Sequence, residues 1–207
     1  MDATRIEALF TRSDGQFFCA RWGRPIVPVV FGLREDTLPI VKGAIEAVVT
    51  LAGHKMAETD PELGANLMVF FFRDWAELLE VPNLDRLIAG LDPLVARLEA
   101  ADANQYRVFR FDDVNAIKAA FVFVRMDAAL SDIPAETLAL SQAVQVILLW
   151  SDMAFMDRAA LAVAGDTTIL RPEIGALIRA AYDPVLPAMA TDPAHALRLA
   201  ARIGDVQ

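Results

Sequence analysis

The sequence predicts an α+β fold in a single domain spanning residues 1–207. Short runs rich in Phe and Val, at residues 16–22 and 25–31, are typical of strands. In residues 36–56, by contrast, the apolar side chains recur at the spacing of a helix. The sequence contains no internal repeat, low-complexity tract or Gly/Ser-rich linker that would divide it into two units.

The first helix and the strand after it are predicted from local signals. Asp36 and Thr37 offer an N-cap, and Pro39 stands where the first turn of a helix tolerates proline. We expect this helix to continue to about Met56. Residues 66–72 form a compact apolar run that would promote aggregation at a sheet edge, so this strand is predicted to lie centrally in the sheet.

The remaining elements are shorter. Residues 73–101 are interrupted by two prolines and a glycine, and we expect two or three short helices there. Apolar segments flank the turn-forming sequence Asp112-Asp113-Val114-Asn115, which predicts a hairpin. The predicted elements from there on are hairpin strands at 106–111 and 117–126, a helix at 135–150, a loop containing Gly165 and Asp166, and helices near 172–182 and 193–203.

The predicted helix at residues 135–150 is apolar almost all round, which is typical of a helix enclosed by protein. At about 100° per residue, Thr137, Ser141 and Gln145 fall on one stripe, and Gln142 borders it. Buried polar side chains need hydrogen-bond partners. A cleft, a neighbouring loop or ordered water would supply them.

The charge balance disfavours two classes of partner. The chain has 19 Lys and Arg against 28 Asp and Glu, a net charge of -9. Nucleic-acid binding and docking on an anionic membrane both call for a basic surface, so neither is expected. No apolar run reaches the roughly 20 residues that span a bilayer. No signal peptide is visible, which predicts a cytoplasmic protein, or a periplasmic one if a signal was removed.

A family resemblance arises at residues 141–152, which read Ser-Gln-Ala-Val-Gln-Val-Ile-Leu-Leu-Trp-Ser-Asp. This segment resembles a motif of a bacterial zincin-like family of unknown function, Glu-Glu-x-x-Gln followed by a Leu-Gly-Leu-type stretch and Asn-Asp. The family carries the motif on the helix where metalloproteases have His-Glu-x-x-His. Three other segments are similar to family motifs in the same order, namely Arg21-Trp22-Gly23-Arg24-Pro25-Ile26, Gly64-Ala65-Asn66-Leu67-Met68-Val69 and Tyr182-Asp183-Pro184.

The resemblance implies a zincin-like fold: a twisted mixed β-sheet packed against a long helix, with a buried motif helix and a C-terminal helical part. It also implies a cleft at the motif helix. The candidate cleft residues are Thr137, Ser141, Gln142, Gln145, Asp152 and Tyr182.

The resemblance further implies a place for a partner chain. In zincins an edge strand beside the motif helix pairs with the substrate. By this analogy the strand at 117–126, with Phe121, Phe123 and Arg125, is expected to accept a partner strand by β-augmentation. This expected strand pairing rests on an analogy from fold to function.

The motif departs from a zinc site at every position that carries the chemistry. A zincin helix needs two histidines at i and i+4 to hold zinc, and a glutamate to act as base. Here Ser141 and Gln145 replace the histidines, and Gln142 replaces the glutamate. A neutral amide takes no proton as a general base. We therefore predict a non-catalytic domain without metal or cofactor, a pseudo-metallopeptidase that binds a peptide, a protein or a small ligand.

Two alternatives to this function stay open. The first alternative is a hydrolase in which residues remote in the sequence converge in the fold, for example His54 and His195 with aspartates around a metal ion. The second alternative is a self-associating structural protein, such as a homodimer.

Arginines on the predicted hairpin suggest a further kind of site. Arg107, Arg110 and Arg125 lie there, and Arg73 follows the Phe-rich strand. If some of them share a sheet face, they would bind a carboxylate or phosphate group. The alternative is that these arginines form ion pairs with neighbouring aspartates, namely Asp74, Asp112, Asp113 and Asp127.

Overall fold

The structure is a computed structural model that describes residues 1–204. Its helices are α1 (Ala3–Phe10), α2 (Leu38–Leu51), α3 (Leu84–Leu87), α4 (Leu91–Ala100), α5 (Ala128–Ser131), α6 (Ala135–Ile147), α7 (Pro172–Ala181) and α8 (Ala194–Gly204), with a 3-10 helix at Trp75–Glu80. Its strands are β1 (Cys19–Ala20), β2 (Pro28–Phe31), β3 (Leu67–Phe72), β4 (Gln105–Phe111), β5 (Ile117–Arg125), β6 (Leu161–Ala164), β7 (Thr167–Leu170) and β8 (Met189–Ala190). No helix among these residues is long and apolar enough to cross a membrane.

The main sheet has the strand order β2-β3-β5-β4. Strands β2, β3 and β5 are parallel to one another, and β4 runs antiparallel to β5. The predicted α+β class with a mixed twisted sheet is confirmed. The predictions that the strand at 66–72 is central and that 106–111 and 117–126 form a hairpin are also confirmed.

Each face of the sheet packs against helices. Alternate residues of a strand point to opposite faces. Val69 and Val122 therefore belong to a core shared with α2, α6 and α7, whereas Phe70 and Phe123 belong to a second core shared with the 3-10 helix, α3 and α4. Because α2 and α6 lie on the same side of the sheet and contact each other, the motif helix is enclosed as predicted.

Several predicted boundaries are wrong, mostly because contacts distant in sequence decide them. Of residues 16–22 only β1 is a strand, and it pairs with β8, which the sequence did not predict. The motif helix ends at Ile147 rather than at residue 150, because Leu148 turns extended and forms a β-bridge with Arg21. Helix α2 ends at Leu51, before the predicted Met56.

Three further differences between the predicted and observed elements have local causes. The Thr37 side chain makes no capping hydrogen bond, because its backbone is helical rather than extended as in an N-cap residue. The predicted loop containing Gly165 and Asp166 is the turn of the β6–β7 hairpin. Helix α1, which the sequence analysis did not predict, begins where the Asp2 carboxylate accepts a hydrogen bond from the Arg5 N–H.

Candidate functional site

A cavity of about 780 Å³ lies between β4, the end of α6 and the segment after α1. We call it the β4–α6 cavity. Its wall includes side chains of Gln105, Arg107 and Phe109, which share the α6-facing side of the sheet. The remaining lining residues are Arg12, Ser13, Asp14, Tyr106, Val108, Phe111, Gln145, Leu149, Trp150, Ser151, Asp152, Ala154 and Phe155.

Four of the six predicted cleft residues lie in or beside this cavity. Gln145 and Asp152 line it. The Gln145 amide donates to the Ser141 hydroxyl at 3.0 Å, one helical turn away. Gln142 is buried behind the wall, with 3% of its surface exposed. Of the predicted polar stripe, only Gln145 therefore lines the cavity directly.

Gln142 connects the motif helix to the edge strand. Its Nε2 donates to Gln105 Oε1 at 2.8 Å, and its Oε1 accepts from Arg107 Nη2 at 2.7 Å. Arg107 Nη2 also donates to Gln105 Oε1 at 3.0 Å. These three side chains thus form a closed polar network in which the only charge is the guanidinium. A glutamate at position 142 would supply the opposite charge, and glutamine does not.

Asp152 holds the chain segment that forms one rim of the cavity. Its carboxylate accepts hydrogen bonds from the Ser13 hydroxyl and, at 2.9 Å, from the Ser13 N–H. These bonds keep the pKa of Asp152 below its ordinary value. The Asp152 carboxylate therefore holds residues 12–14 in place through its two hydrogen bonds with Ser13.

Thr137 and Tyr182 do not line the cavity. Thr137 donates to the Thr168 hydroxyl at 2.8 Å and so ties α6 to the β6–β7 hairpin. The Tyr182 hydroxyl donates at 2.8 Å to the carbonyl of Ile147, the last residue of α6. The proposed binding role of Tyr182 is wrong for this cavity, because its hydroxyl satisfies a carbonyl at a helix end, where no intrahelical partner exists.

Trp22, another residue of the family-like motifs, serves the same helix end. Its indole Nε1 donates to the Val146 carbonyl at 2.8 Å, and its backbone N–H donates to the Tyr182 hydroxyl at 3.4 Å. The Arg21 guanidinium lies 5.5 Å from the centre of the Tyr182 ring. These motif residues therefore share a structural task, which is to satisfy and enclose the C-terminal end of α6.

The predicted strand pairing at residues 117–126 is wrong. Strand β5 lies between β3 and β4, so both of its edges are already occupied by neighbouring strands. Phe121 and Phe123 belong to the core on the face away from α6. Arg125 is engaged by Asp102, at 2.7 Å. Within residues 1–204, the open edges of the main sheet are those of β2 and β4.

The hairpin arginines do not form one cluster. Arg110 points away from α6 and donates to the Leu87 carbonyl at 2.8 Å. Arg125 pairs with Asp102 and, at 3.9 Å, with Asp127, which confirms the aspartate alternative for this residue. Arg107 alone faces the β4–α6 cavity. Gln105 and Trp150 were missed as site residues, although the spacing of Gln105 and Arg107 on a strand places both on one face.

The two histidines have separate surroundings. His54 Nε2 lies 2.8 Å from the Arg24 carbonyl, and the imidazole packs against the Tyr182 ring. His195 is buried at the start of α8, and its Nδ1 has no hydrogen-bond partner. In the described part of the chain, no three His, Cys, Asp or Glu side chains lie together as a metal site would require.

We expect the free energy of unfolding to fall as the pH is lowered from about 7.5 to about 5.5. Burial lowers the pKa of both His54 and His195 below 6.5 in the folded protein. The unfolded chain therefore takes up protons first, and stability is lost as the pH falls below about 6.5, by at most about 1.4 kcal/mol per pH unit for each histidine. Urea unfolding across this range measures the slope. A His195→Gln variant with an unreduced slope would contradict the contribution of His195.

Comparison of the whole chain with protein-family models, curated proteins and solved structures gives no match.

Proposed function

We propose that this chain is a non-catalytic binding domain of zincin-like arrangement, and that its β4–α6 cavity takes a small ligand. The cavity itself is the observation that carries this proposal. Its volume, about 780 Å³, falls in the range of roughly 300–1,000 Å³ that is typical of small-molecule sites. An antiparallel edge strand beside the motif-bearing helix supports the zincin-like arrangement.

The polar groups around the cavity favour binding over reaction. Ser141, the serine of the predicted cleft, accepts its hydrogen bond from an amide, and no histidine or carboxylate of residues 1–204 bonds to it. A serine nucleophile requires such a base. Asp152 is occupied by Ser13. The other lining residues include Arg12, Arg107 and several aromatic rings, which recognise a ligand without transforming it.

Fragment binding tests this proposal. Trp22 and Trp75 are fully buried, whereas Trp150 lines the cavity, so a ligand there should shift the Trp150 indole N–H signal in ¹⁵N–¹H NMR spectra. We expect a library of several hundred small fragments to contain compounds that do so. Ala154→Phe narrows the cavity and should weaken their binding by at least about tenfold.

The matched control is Ala164→Phe, which adds the same group at an exposed position of β6. It should leave fragment affinity unchanged. Fragments that bind equally well to the Ala154→Phe protein, or a library with no compound that shifts the Trp150 signal, would refute a small-ligand site in this cavity.

The open edge of β4 favours a second candidate, an extended peptide. Arg125 N–H donates to the Asn104 carbonyl. The alternation of an antiparallel ladder then directs the N–H and C=O groups of Arg107 and Phe109 toward the open edge. A peptide that pairs with these groups would lie over the β4–α6 cavity. The partner-strand prediction thus moves from β5 to β4, and self-association stays a prediction.

A further inference from the structure

We propose that Arg107 is the anion-recognition residue of the β4–α6 cavity, and that the ligand carries a carboxylate or phosphate group on an aromatic or apolar body. This inference deepens the proposed function and rests on it.

The first support is the absence of a counter-ion for Arg107. Among residues 1–204, no carboxylate lies within salt-bridge distance of its guanidinium, although Arg24, Arg34, Arg125, Arg158 and Arg202 all have one. The hydrogen-bond partners of Arg107 are the neutral side-chain oxygens of Gln105 and Gln142. Its Nε is buried without any partner.

The second support is the electrostatic situation of that guanidinium. Burial lowers the pKa of Arg107 to about 10, so the group keeps its charge at neutral pH. A half-buried charge without an opposite charge beside it is unfavourable, and an oxyanion in contact with it would relieve that cost. Charge-assisted bonds from arginine to carboxylate or phosphate are also among the strongest that proteins form.

The third support is that neither of the two carboxylates in the cavity lining, Asp14 and Asp152, contacts Arg107. Asp152 accepts both bonds from Ser13, and Asp14 accepts the Gln16 N–H at 2.9 Å. Arg12 contributes a second positive charge to the lining. The lining thus carries two arginines and two aspartates, and both carboxylates hold the loop at residues 12–16 while neither pairs with Arg107.

The body of the ligand is inferred from the rest of the wall. Phe109, Leu149, Trp150 and Phe155 line the cavity beside Arg107. Trp150 is held in place by its indole N–H, which donates to the Val144 carbonyl at 2.8 Å, and by stacking on Phe10. Flat aromatic groups pack favourably on such rings. An aromatic oxyanion thus matches both the charge and the apolar surface.

Three probes that share one ring system test the inference: 2-naphthoate, 2-naphthyl phosphate and the neutral 2-naphthamide. Affinities are read from the Trp150 indole N–H signal. We expect at least one anion to bind about tenfold or more tightly than the amide. Arg107→Met should abolish that preference and leave amide binding unchanged. The matched control is Arg110→Met, which removes the same charge from the opposite face of β4 and should preserve it.

The outcomes separate the inference from the proposed function. A preference for naphthoate alone identifies a carboxylate ligand, and one for naphthyl phosphate alone identifies a phosphate ligand. Equal affinity for all three probes on the wild-type protein overturns the role of Arg107 even if Arg107→Met fails to fold. Absence of binding by all three also overturns it, whereas the proposed function fails only when fragment binding that depends on Ala154 fails.

Discussion

Replacing Trp22 with alanine is expected to lower the free energy of unfolding by about 3 to 5 kcal/mol, the typical cost of removing a large buried aromatic side chain. Trp22 has none of its surface exposed. Its loss would leave a large cavity in the core and deprive the Val146 carbonyl of the indole donor. Urea unfolding monitored by circular dichroism at 222 nm measures the change.

Two controls isolate the packing and hydrogen-bonding parts of this effect. Trp22→Phe keeps an aromatic ring and removes the indole N–H, so it should cost less than Trp22→Ala. Tyr182→Phe removes only the hydroxyl that donates to the Ile147 carbonyl, at a cost of about 1 to 3 kcal/mol. Because both residues serve one helix end, their effects should be non-additive. A Trp22→Ala protein destabilised by less than about 1 kcal/mol would contradict this account.

The parts of the fold that the sequence predicted correctly are those with local signals. The apolar run of β3 required burial on both faces, and the structure places the strand between β2 and β5. The turn at Asp112-Asp113-Val114-Asn115 specified its own hairpin, in which the Asp112 carboxylate accepts the N–H groups of Val114 and Ala116. These contacts span a few residues, so neighbouring positions in the sequence contain the information.

Several of the errors concern contacts between distant segments. The periodicity of α6 gives no sign that it ends at Ile147, because Leu148 is drawn into a bridge with Arg21, far away in the chain. The polar stripe was predicted correctly as a helix face. However, the neighbours along that face differ: Thr137 meets the β6–β7 hairpin, while Gln145 opens on the cavity. Only the tertiary arrangement assigns a different role to each.

The same limit applies to Arg107. From the sequence, Arg107 is one of four arginines that either bind an anion or pair with aspartates. Alternate residues of a strand point to opposite faces of the sheet, so Arg107 and Arg110 lie on opposite faces. This could be predicted once the strand was known. That Arg107 faces Gln142, and no acid, depends on how α6 crosses the sheet. Its unpaired charge is therefore a property of the fold.

The second large effect is expected for Asn66→Ala, which should lower the free energy of unfolding by about 2 to 4 kcal/mol. Asn66 has none of its surface exposed and ties the turn at residues 60–66 to the segment at residues 25–27. Its Oδ1 accepts the Val27 N–H at 2.8 Å, and its Nδ2 donates to the Pro25 carbonyl and to Asp60 at 2.9 and 3.0 Å. Alanine would leave buried polar groups without partners.

The matched control is Asn104→Ala, which removes another Asn–Asp bond, to Asp127, at a less buried position and should cost about 1 kcal/mol. The pH dependence of the unfolding free energy provides an independent check on the bond between Asn66 and Asp60. Burial raises the pKa of Asp60, but hydrogen bonds from Leu63, Glu62 and Asn66 outweigh it and lower the pKa below 3.8.

A carboxyl group with a lowered pKa stabilises the fold above its unfolded pKa, and this stability is lost as the pH falls through the folded value. Asn66→Ala removes one of the bonds that lower the pKa of Asp60, so part of its cost depends on the charged form of Asp60. The difference in unfolding free energy between the wild-type and Asn66→Ala proteins should therefore narrow as the pH falls from about 6 to about 3. A constant difference would show that the bond to Asp60 contributes little and that the Val27 and Pro25 contacts account for the stabilisation.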